Sequence, residues 1–444
     1  MSLGQLFAQH IRILQQRYED TLELLGKESV YIEGVLLHSG RARTYFADDI
    51  TVPFRAHSHF RHWVPLNAPD QSVLVRPGQK PILFRVQSQS FWLETSVRCE
   101  SWWAEMFEIV EATHPDELLQ LLPPARRVAF MGEDTEYASR IGLSSLLYNE
   151  THLRNRLDYH RSLKTPYEIE QIRDANRSAL KAHHAARDAF LSGESEFDIH
   201  RAYLDACHAT EEQLPFPSIV ALDEKSAILH YEHKRRSNSA AAQVMLCDAG
   251  FSVRGYAADL TRTHARETAH PVFKDLIVRV DRIKKHMSNA AQAGISFQNL
   301  NEATHDLIRE ALLETGVVQG GTDELKELKI TNLFFPHGIG HLLGLQVHDV
   351  SGLFKDESGV LEPPPEEHKS LRLTRRLEEG MVYTIEPGIY FIPMLLNAER
   401  NTAIGKHLNF DLIDELIPCG GARMEDNVVI RNHGPENLTT EAGK

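Results

Sequence analysis

Phe334-Phe335-Pro336-His337-Gly338-Ile339-Gly340-His341-Leu342-Leu343-Gly344-Leu345-Gln346-Val347-His348-Asp349 sets three histidines at steps of four and seven. The proline and glycines around them argue against an ordinary helix and predict shaped loop and strand backbone. Histidine is the commonest metal ligand and the usual acid–base group near neutral pH. Three in so rigid a frame point to one ligand and two helpers. Two aspartates, Asp248 and Asp259, lie upstream, and two glutamates, Glu386 and Glu425, lie downstream. The chain reads as a scaffold built to bring these groups together.

The acids stand in unusual company. Leu246-Cys247-Asp248-Ala249-Gly250 and Val382-Tyr383-Thr384-Ile385-Glu386-Pro387-Gly388 are otherwise apolar, strand-forming runs, and Val428-Val429-Ile430 follows Glu425-Asp426-Asn427. An isolated buried carboxylate costs several kcal/mol unless it is paired or metal-bound. Several acids in buried-looking strands therefore signal a site. A hairpin of Ala242–Gly250 and Tyr256–Thr263, turning at Val253-Arg254-Gly255, would let Asp248 and Asp259 project to one side of the sheet. Four carboxylates and one imidazole make a hard, oxygen-rich set that suits Mn²⁺ or Co²⁺ and disfavours a thiolate-type zinc site. Five donors exceed what one open catalytic ion needs but suit two ions sharing bridging carboxylates. Metals about 3.5–4 Å apart can hold a hydroxide between them and polarise a carbonyl, so the predicted chemistry is metal-assisted hydrolysis.

The rest of the chain sets bounds. Its 444 residues predict two domains, residues 1–160 and 161–444. The net charge of −14 argues against nucleic acid or an anionic membrane as partner. No long apolar run and no basic-then-apolar start are found, so neither a transmembrane helix nor a signal peptide is expected. Four cysteines without a CxxC pair predict a reducing, cytoplasmic setting, with Cys247 a buried thiol. Apolar spacing predicts a helix over residues 3–26, and strands are expected at Ser29–Leu37, Ser72–Val75, Pro81–Val86 and Val128–Met131. Tyr45-Phe46-Ala47-Asp48-Asp49 and Phe60-Arg61-His62-Trp63-Val64-Pro65 read as surface loops over an apolar patch, with substrate gating as the other reading.

Thr165-Pro166-Tyr167-Glu168 opens a helix with a capping-box pattern. Long helices then end at Gly193-Glu194-Ser195 and at Gly294-Ile295-Ser296, each followed by a second helix and later by an acid-bearing strand. Such α–α–β halves would give pseudo-twofold symmetry, with carboxylates from both halves meeting at the centre.

At these residues the sequence resembles bacterial Xaa-Pro dipeptidase (prolidase), in the branch that includes the organophosphorus acid anhydrolases. The likeness rests on Asp248 through Asp259 to Thr263, on Pro336–Asp349, on Thr384–Tyr390 and on Gly421–Asn427. It also takes in Phe46, Asp48-Asp49 and Trp63-Val64-Pro65. It implies an α/β (α+β) chain: a creatinase-like N-terminal domain, then a pita-bread metallopeptidase domain. It further implies a homodimer and two divalent ions, Mn²⁺ before Co²⁺ or Zn²⁺. By the family pattern Asp248 binds one metal, Asp259 and Glu425 bridge both, and His341 and Glu386 bind the other. The family ligand precedes a substrate-site histidine by seven, which selects His341 with His348 and leaves His337 behind them. Glu386 also carries the proton, His348 stabilises the tetrahedral intermediate, and Arg423 orients Glu425. His230 and Arg372 receive the proline carboxylate of a small peptide substrate.

Gripping that carboxylate would reject longer peptides. The implied activity is hydrolysis of Xaa-Pro dipeptides, with organophosphates as a side activity. The rivals are an aminopeptidase P-like enzyme acting on longer peptides and a non-catalytic binding module of the same fold. In a dimer, Asp48 or Trp63 would be the residues to reach the neighbouring site.

Overall fold

The structure, a computed structural model, describes residues 1–87, 90–92, 98–120, 122, 127–237 and 240–442. It divides into two compact units: Met1–Glu168 with Asp356–Val360, and Ile169–Lys355 with Leu361–Lys444.

The first unit opens with the Leu3–Lys27 helix, capped where Ser2 accepts from the Gln5 amide while the Gln5 side chain accepts from the Ser2 amide. One stripe, from Phe7 and Ile11 through Tyr18 to Leu25, is buried. A mixed five-stranded sheet follows, in the order Glu108–Ala112, Ile82–Val86, Ser72–Val75, Gly34–His38, Val128–Met131. The expected first strand starts five residues late because Ser29 takes a left-handed turn at φ 72°. The Glu108–Ala112 strand was not foreseen. It lies at the sheet edge and carries two glutamates, which mask the apolar alternation of a strand.

Phe60–Pro65 is not the surface loop its composition suggests. Ser58–Trp63 is a short helix, Phe60 and Trp63 are fully buried, and the Trp63 ring meets Tyr18 edge-on at 5.0 Å. Trp63 therefore belongs to the core of its own unit and is removed as a residue reaching a neighbour. Tyr45–Asp49 does form an exposed tip: Thr44 pairs with Thr51, and Phe46 stands wholly in solvent.

The capping box is present. Glu168 accepts from the Thr165 amide at 2.8 Å, and the Thr165 hydroxyl accepts in return from the Glu168 amide at 3.4 Å. This pair is buried beside His10 and His62.

The second unit contains two helix pairs, Pro166–Leu191 with Glu196–Cys207 and Pro271–Ala290 with Phe297–Glu314. As expected, glycines with positive φ, Gly193 at 87° and Gly294 at 85°, separate the members of each pair. Three small sheets carry the rest. Ile219–Leu222, Val244–Val253 and Tyr256–Ala265 form one; Gly434–Asn437, Asp426–Arg431 and Val382–Ile385 form another; Gly388–Tyr390 pairs with Gly421–Arg423. The long hairpin turns at Arg254 and Gly255, both with positive φ, the conformation that keeps the strands' right-handed twist.

Burial holds several histidines neutral: His38 is pulled down to about 4, and His62, His183 and His305 to about 3. Their folded values lie below the unfolded 6.5, so stability is fully present above pH 6.5. It is lost as pH falls towards 3–4, because only the unfolded chain takes up these protons. Each group contributes a slope of up to about 1.4 kcal/mol per pH unit. Thermal melts of metal-free protein should therefore show Tm falling between pH 5 and pH 4, below the range in which the buried Glu386 and Asp248, raised to about 7 and about 6, take up their own protons in the folded state and offset the histidines. A flat profile would contradict it.

Candidate active site

The hairpin register places the two aspartates. Asp248 lies opposite Thr261, and Asp259 lies opposite Gly250. Opposed residues and residues two apart share one face of a sheet, so both carboxylates project the same way. His341 and Glu386 arrive by a different pairing. The Glu386 amide donates to the Ile339 carbonyl at 2.8 Å, and the Thr384 amide to the His341 carbonyl at 2.9 Å. This approach needs Gly340: a Cβ there would stand 2.0 Å from the Thr384 carbonyl oxygen. The expected strand Val382–Gly388 is interrupted, and Glu386 lies in the break between Val382–Ile385 and Gly388–Tyr390. Pro387 has no N–H with which to continue the ladder. Glu425 sits in the corresponding break between Gly421–Arg423 and Asp426–Arg431.

These segments bring all five expected metal ligands to the wall of one cavity of about 250 Å³. His341 Nε2 lies 3.5 Å from Asp259 Oδ2 and 3.7 Å from Glu386 Oε1. One donor atom each from Asp259, His341 and Glu425 falls within 4.8 Å of the others. His341 donates from Nδ1 to the Leu342 carbonyl at 3.0 Å, which leaves the Nε2 lone pair aimed at the carboxylates.

The electrostatics ask for cations. Burial pushes Glu386 up to about 7, Asp248 up to about 6 and Glu425 well above the carboxylate range, and repulsion from the neighbouring acids adds to each. His341 goes the other way: burial disfavours its charge, but Asp259 and Glu386 together raise it above the ordinary imidazole value. Asp248 Oδ1 is buried with no hydrogen-bond partner. Buried acids crowded in this way, with a spare oxygen, fit divalent metal ions.

Arg423 ties the acids together. It donates to Asp248 Oδ2 at 2.5 Å and to the Thr261 hydroxyl at 3.0 Å, and that hydroxyl donates to Glu425 Oε2 at 2.7 Å. Its hydrogen-bonded link to Glu425 thus passes through Thr261. Arg423 also donates to the Tyr390 hydroxyl at 2.7 Å, whose own proton goes to His337 Nε2 at 2.8 Å. His337 donates from Nδ1 to the Gly338 carbonyl, and burial pulls its pKa down to about 3, so it stays neutral behind the ligands.

Tyr390 and Thr261 were not foreseen. A threonine two residues beyond Asp259 shares its face of the strand, and that period of two was the available signal. His230, His348 and Arg372 line the same cavity and are exposed. The His348 ring meets His341 edge-on at 4.4 Å, and partial loss of water around the ring against the cavity wall, with His341 and Arg372 adding to it, lowers its pKa to about 4.

A second buried trio, His10, His62 and Glu168, lies in the first unit. His10 uses both ring nitrogens, on the Thr165 hydroxyl at 2.8 Å and the His62 carbonyl at 2.7 Å. It has no lone pair left for a metal, and the trio is a hydrogen-bonded packing network.

Residues 170–432 match metallopeptidase family M24, and residues 5–159 match the Xaa-Pro dipeptidase N-terminal domain. The chain belongs to metallopeptidase family M24. Its similar relatives include an Xaa-Pro dipeptidase of Shewanella amazonensis, 39% identical over 100% of this chain and 99% of that protein. The Xaa-Pro dipeptidase of Pseudoalteromonas haloplanktis is 39% identical over 98% of each chain. Among solved structures, E. coli aminopeptidase P with the inhibitor Pro-Leu matches with a TM-score of 0.74 at 22% identity. That match covers 96% of this chain and 95% of the other. The expected architecture is the one found, an α/β N-terminal domain followed by the pita-bread domain of this family.

Proposed function

We infer that this chain is a dinuclear-metal Xaa-Pro dipeptidase. One observation carries the reading: a single cavity is lined both by the acid-rich ligand set and by Arg372 and His230. Full-length likeness to Xaa-Pro dipeptidases supports it. Asp248, Asp259, His341, Glu386 and Glu425 would hold two divalent ions, with Mn²⁺ the foremost candidate for this hard donor set. When bound, such ions supply an activated water near neutral pH and polarise the scissile carbonyl.

The chain's own residues do the rest. Arg372 and His230 receive the substrate's terminal carboxylate, and the guanidinium offers a planar fork for that anion. This grip fixes the prolyl amide in the cavity and excludes peptides that continue beyond proline. Glu386 takes the proton from the water and delivers it to the proline nitrogen, which has no hydrogen of its own while in the amide. His348 donates to the developing oxyanion, and Arg423 holds Asp248 directly and Glu425 through Thr261. A phosphotriester in the same cavity is at most a side substrate.

The test is a hydrolysis panel of Ala-Pro, Ala-Ala and Ala-Pro-Ala on metal-stripped protein, before and after Mn²⁺ addition. Metal-dependent cleavage of Ala-Pro alone is the expected result. Cleavage of the tripeptide would make the enzyme aminopeptidase P-like, and no cleavage after metal loading would overturn the peptidase reading.

A domain boundary near residue 160 is also proposed, supported by the two family matches, of which one ends at residue 159 and the other begins at residue 170. A homodimer is also proposed, supported by the exposed apolar tip at Phe46 and Ile50, with Asp48 beside them. Cytoplasmic residence is supported by four unpaired cysteines. No helix among the described residues is long and apolar enough to cross a membrane.

A further inference from the structure

The two expected bridging ligands, Asp259 and Glu425, come from segments that do not form an ordinary ladder. Along Tyr256–Ala265 and Arg423–Asn427 the contacts step by two in opposite directions. Thr263 meets Arg423, Thr261 meets Glu425, and Asp259 meets Asn427. A backbone bond joins them only at the middle rung, where the Glu425 amide donates to the Thr261 carbonyl at 3.0 Å. The outer rungs are spanned by side chains. The Thr263 hydroxyl donates to the Arg423 carbonyl at 2.9 Å and accepts from its amide at 3.0 Å. At the other end, the Asn427 side chain accepts from the Asp259 amide at 3.1 Å and donates to the Asp259 carbonyl at 2.7 Å.

We propose that Asn427 is a positioning residue for the metal centre: its carboxamide stands in for a missing peptide group and fixes the spacing between Asp259 and Glu425. The inference rests on the dipeptidase reading above. Like the Thr263 hydroxyl at the opposite rung, the carboxamide offers a donor and an acceptor at once, here on two separate atoms as a backbone peptide does. The group is backed from behind. The Asn427 amide donates to the Thr439 hydroxyl at 2.9 Å, and that hydroxyl donates to Asn176 Oδ1 at 2.7 Å. Asn176, Thr439 and Asn427 are each fully buried. Asn427 touches no substrate-facing surface of the cavity, so its effect passes through the ligands it holds.

Residues that orient metal ligands typically carry 10–100-fold in metal affinity. The experiment is calorimetric titration of stripped wild type, Asn427→Leu, Asn427→Ser, Thr439→Val and Thr439→Ser with Mn²⁺. Ala-Pro kinetics at saturating metal and melts of the metal-free proteins accompany it. Wild type should take up two ions. Asn427→Leu and Asn427→Ser should bind at least one ion about 10–100-fold more weakly and lose kcat, with KM for Ala-Pro changed less than about threefold. Thr439→Val should shift in the same direction by a smaller factor, and Thr439→Ser, which keeps the hydroxyl, should restore wild-type affinity. Thr439→Val keeps the test decisive should the Asn427 variants fail to fold. Wild-type metal affinity in folded Asn427 variants, or in Thr439→Val where those do not fold, would overturn the positioning role and leave the dipeptidase reading intact. A wild type that takes up no metal would overturn both.

Discussion

Asp259→Asn should lower turnover of Ala-Pro by roughly 10³-fold or more, and the metal content should fall from two ions towards one. The substitution keeps shape and removes charge from a group expected to bridge both ions. Two-metal activation supplies several kcal/mol of transition-state stabilisation, and each 1.4 kcal/mol is tenfold in rate. The backbone of Asp259 is held independently, by the Asn427 side chain on both its amide and its carbonyl. The strand should therefore keep its place, and the loss should be chemical. Elemental analysis and a melt of the variant check both halves. Folded variant with two ions and activity within tenfold of wild type would remove Asp259 from the metal set.

What could be read from the residues divides along a physical line. Local rules gave the Pro166–Leu191 helix, because its start is written as Thr165, Pro166 and Glu168, and they gave the long hairpin, because Arg254-Gly255 supports its turn. The candidate ligands were legible because a buried acid in an apolar strand is costly unless something holds it. The cavity does gather all five of them.

Illegible were the features set by distant packing. Trp63 carries no mark distinguishing a core aromatic from a gating one, and its buried ring packs edge-on against Tyr18, 45 residues away in sequence. The Glu386 break depends on where Ile339–Leu343 comes alongside. Tyr390 joins the site only because the Gly388–Tyr390 strand pairs with Gly421–Arg423 and so meets Arg423. Asn427 was visible as the neighbour of a ligand, but its bond to Asp259 crosses 168 residues of sequence.

Arg372→Ala should separate substrate recognition from chemistry. Arg372 is exposed at the cavity wall, in a run with Arg375 and Arg376 that by composition alone reads as a solvated face. Those neighbours behave differently. Arg375 is buried and paired with Glu378, and Arg376 donates to the Gly294 carbonyl at 3.0 Å. Arg372 is the member of the run that lines the cavity together with His230. A charge-assisted hydrogen bond contributes about 1.5–3 kcal/mol, so kcat/KM for Ala-Pro should fall roughly 10–100-fold in Arg372→Ala. The discriminating substrate is Ala-Pro amide, in which the carboxylate is gone but the scissile bond is unchanged. Wild type should strongly prefer Ala-Pro over the amide, and Arg372→Ala should lose most of that preference while its activity on the amide stays near the wild-type level. Arg372→Lys should recover only part, since an ammonium supplies charge without the planar fork. Equal losses on both substrates would mean that Arg372 supports the site's structure, and the carboxylate grip would then fall to His230 or to a residue outside this reading.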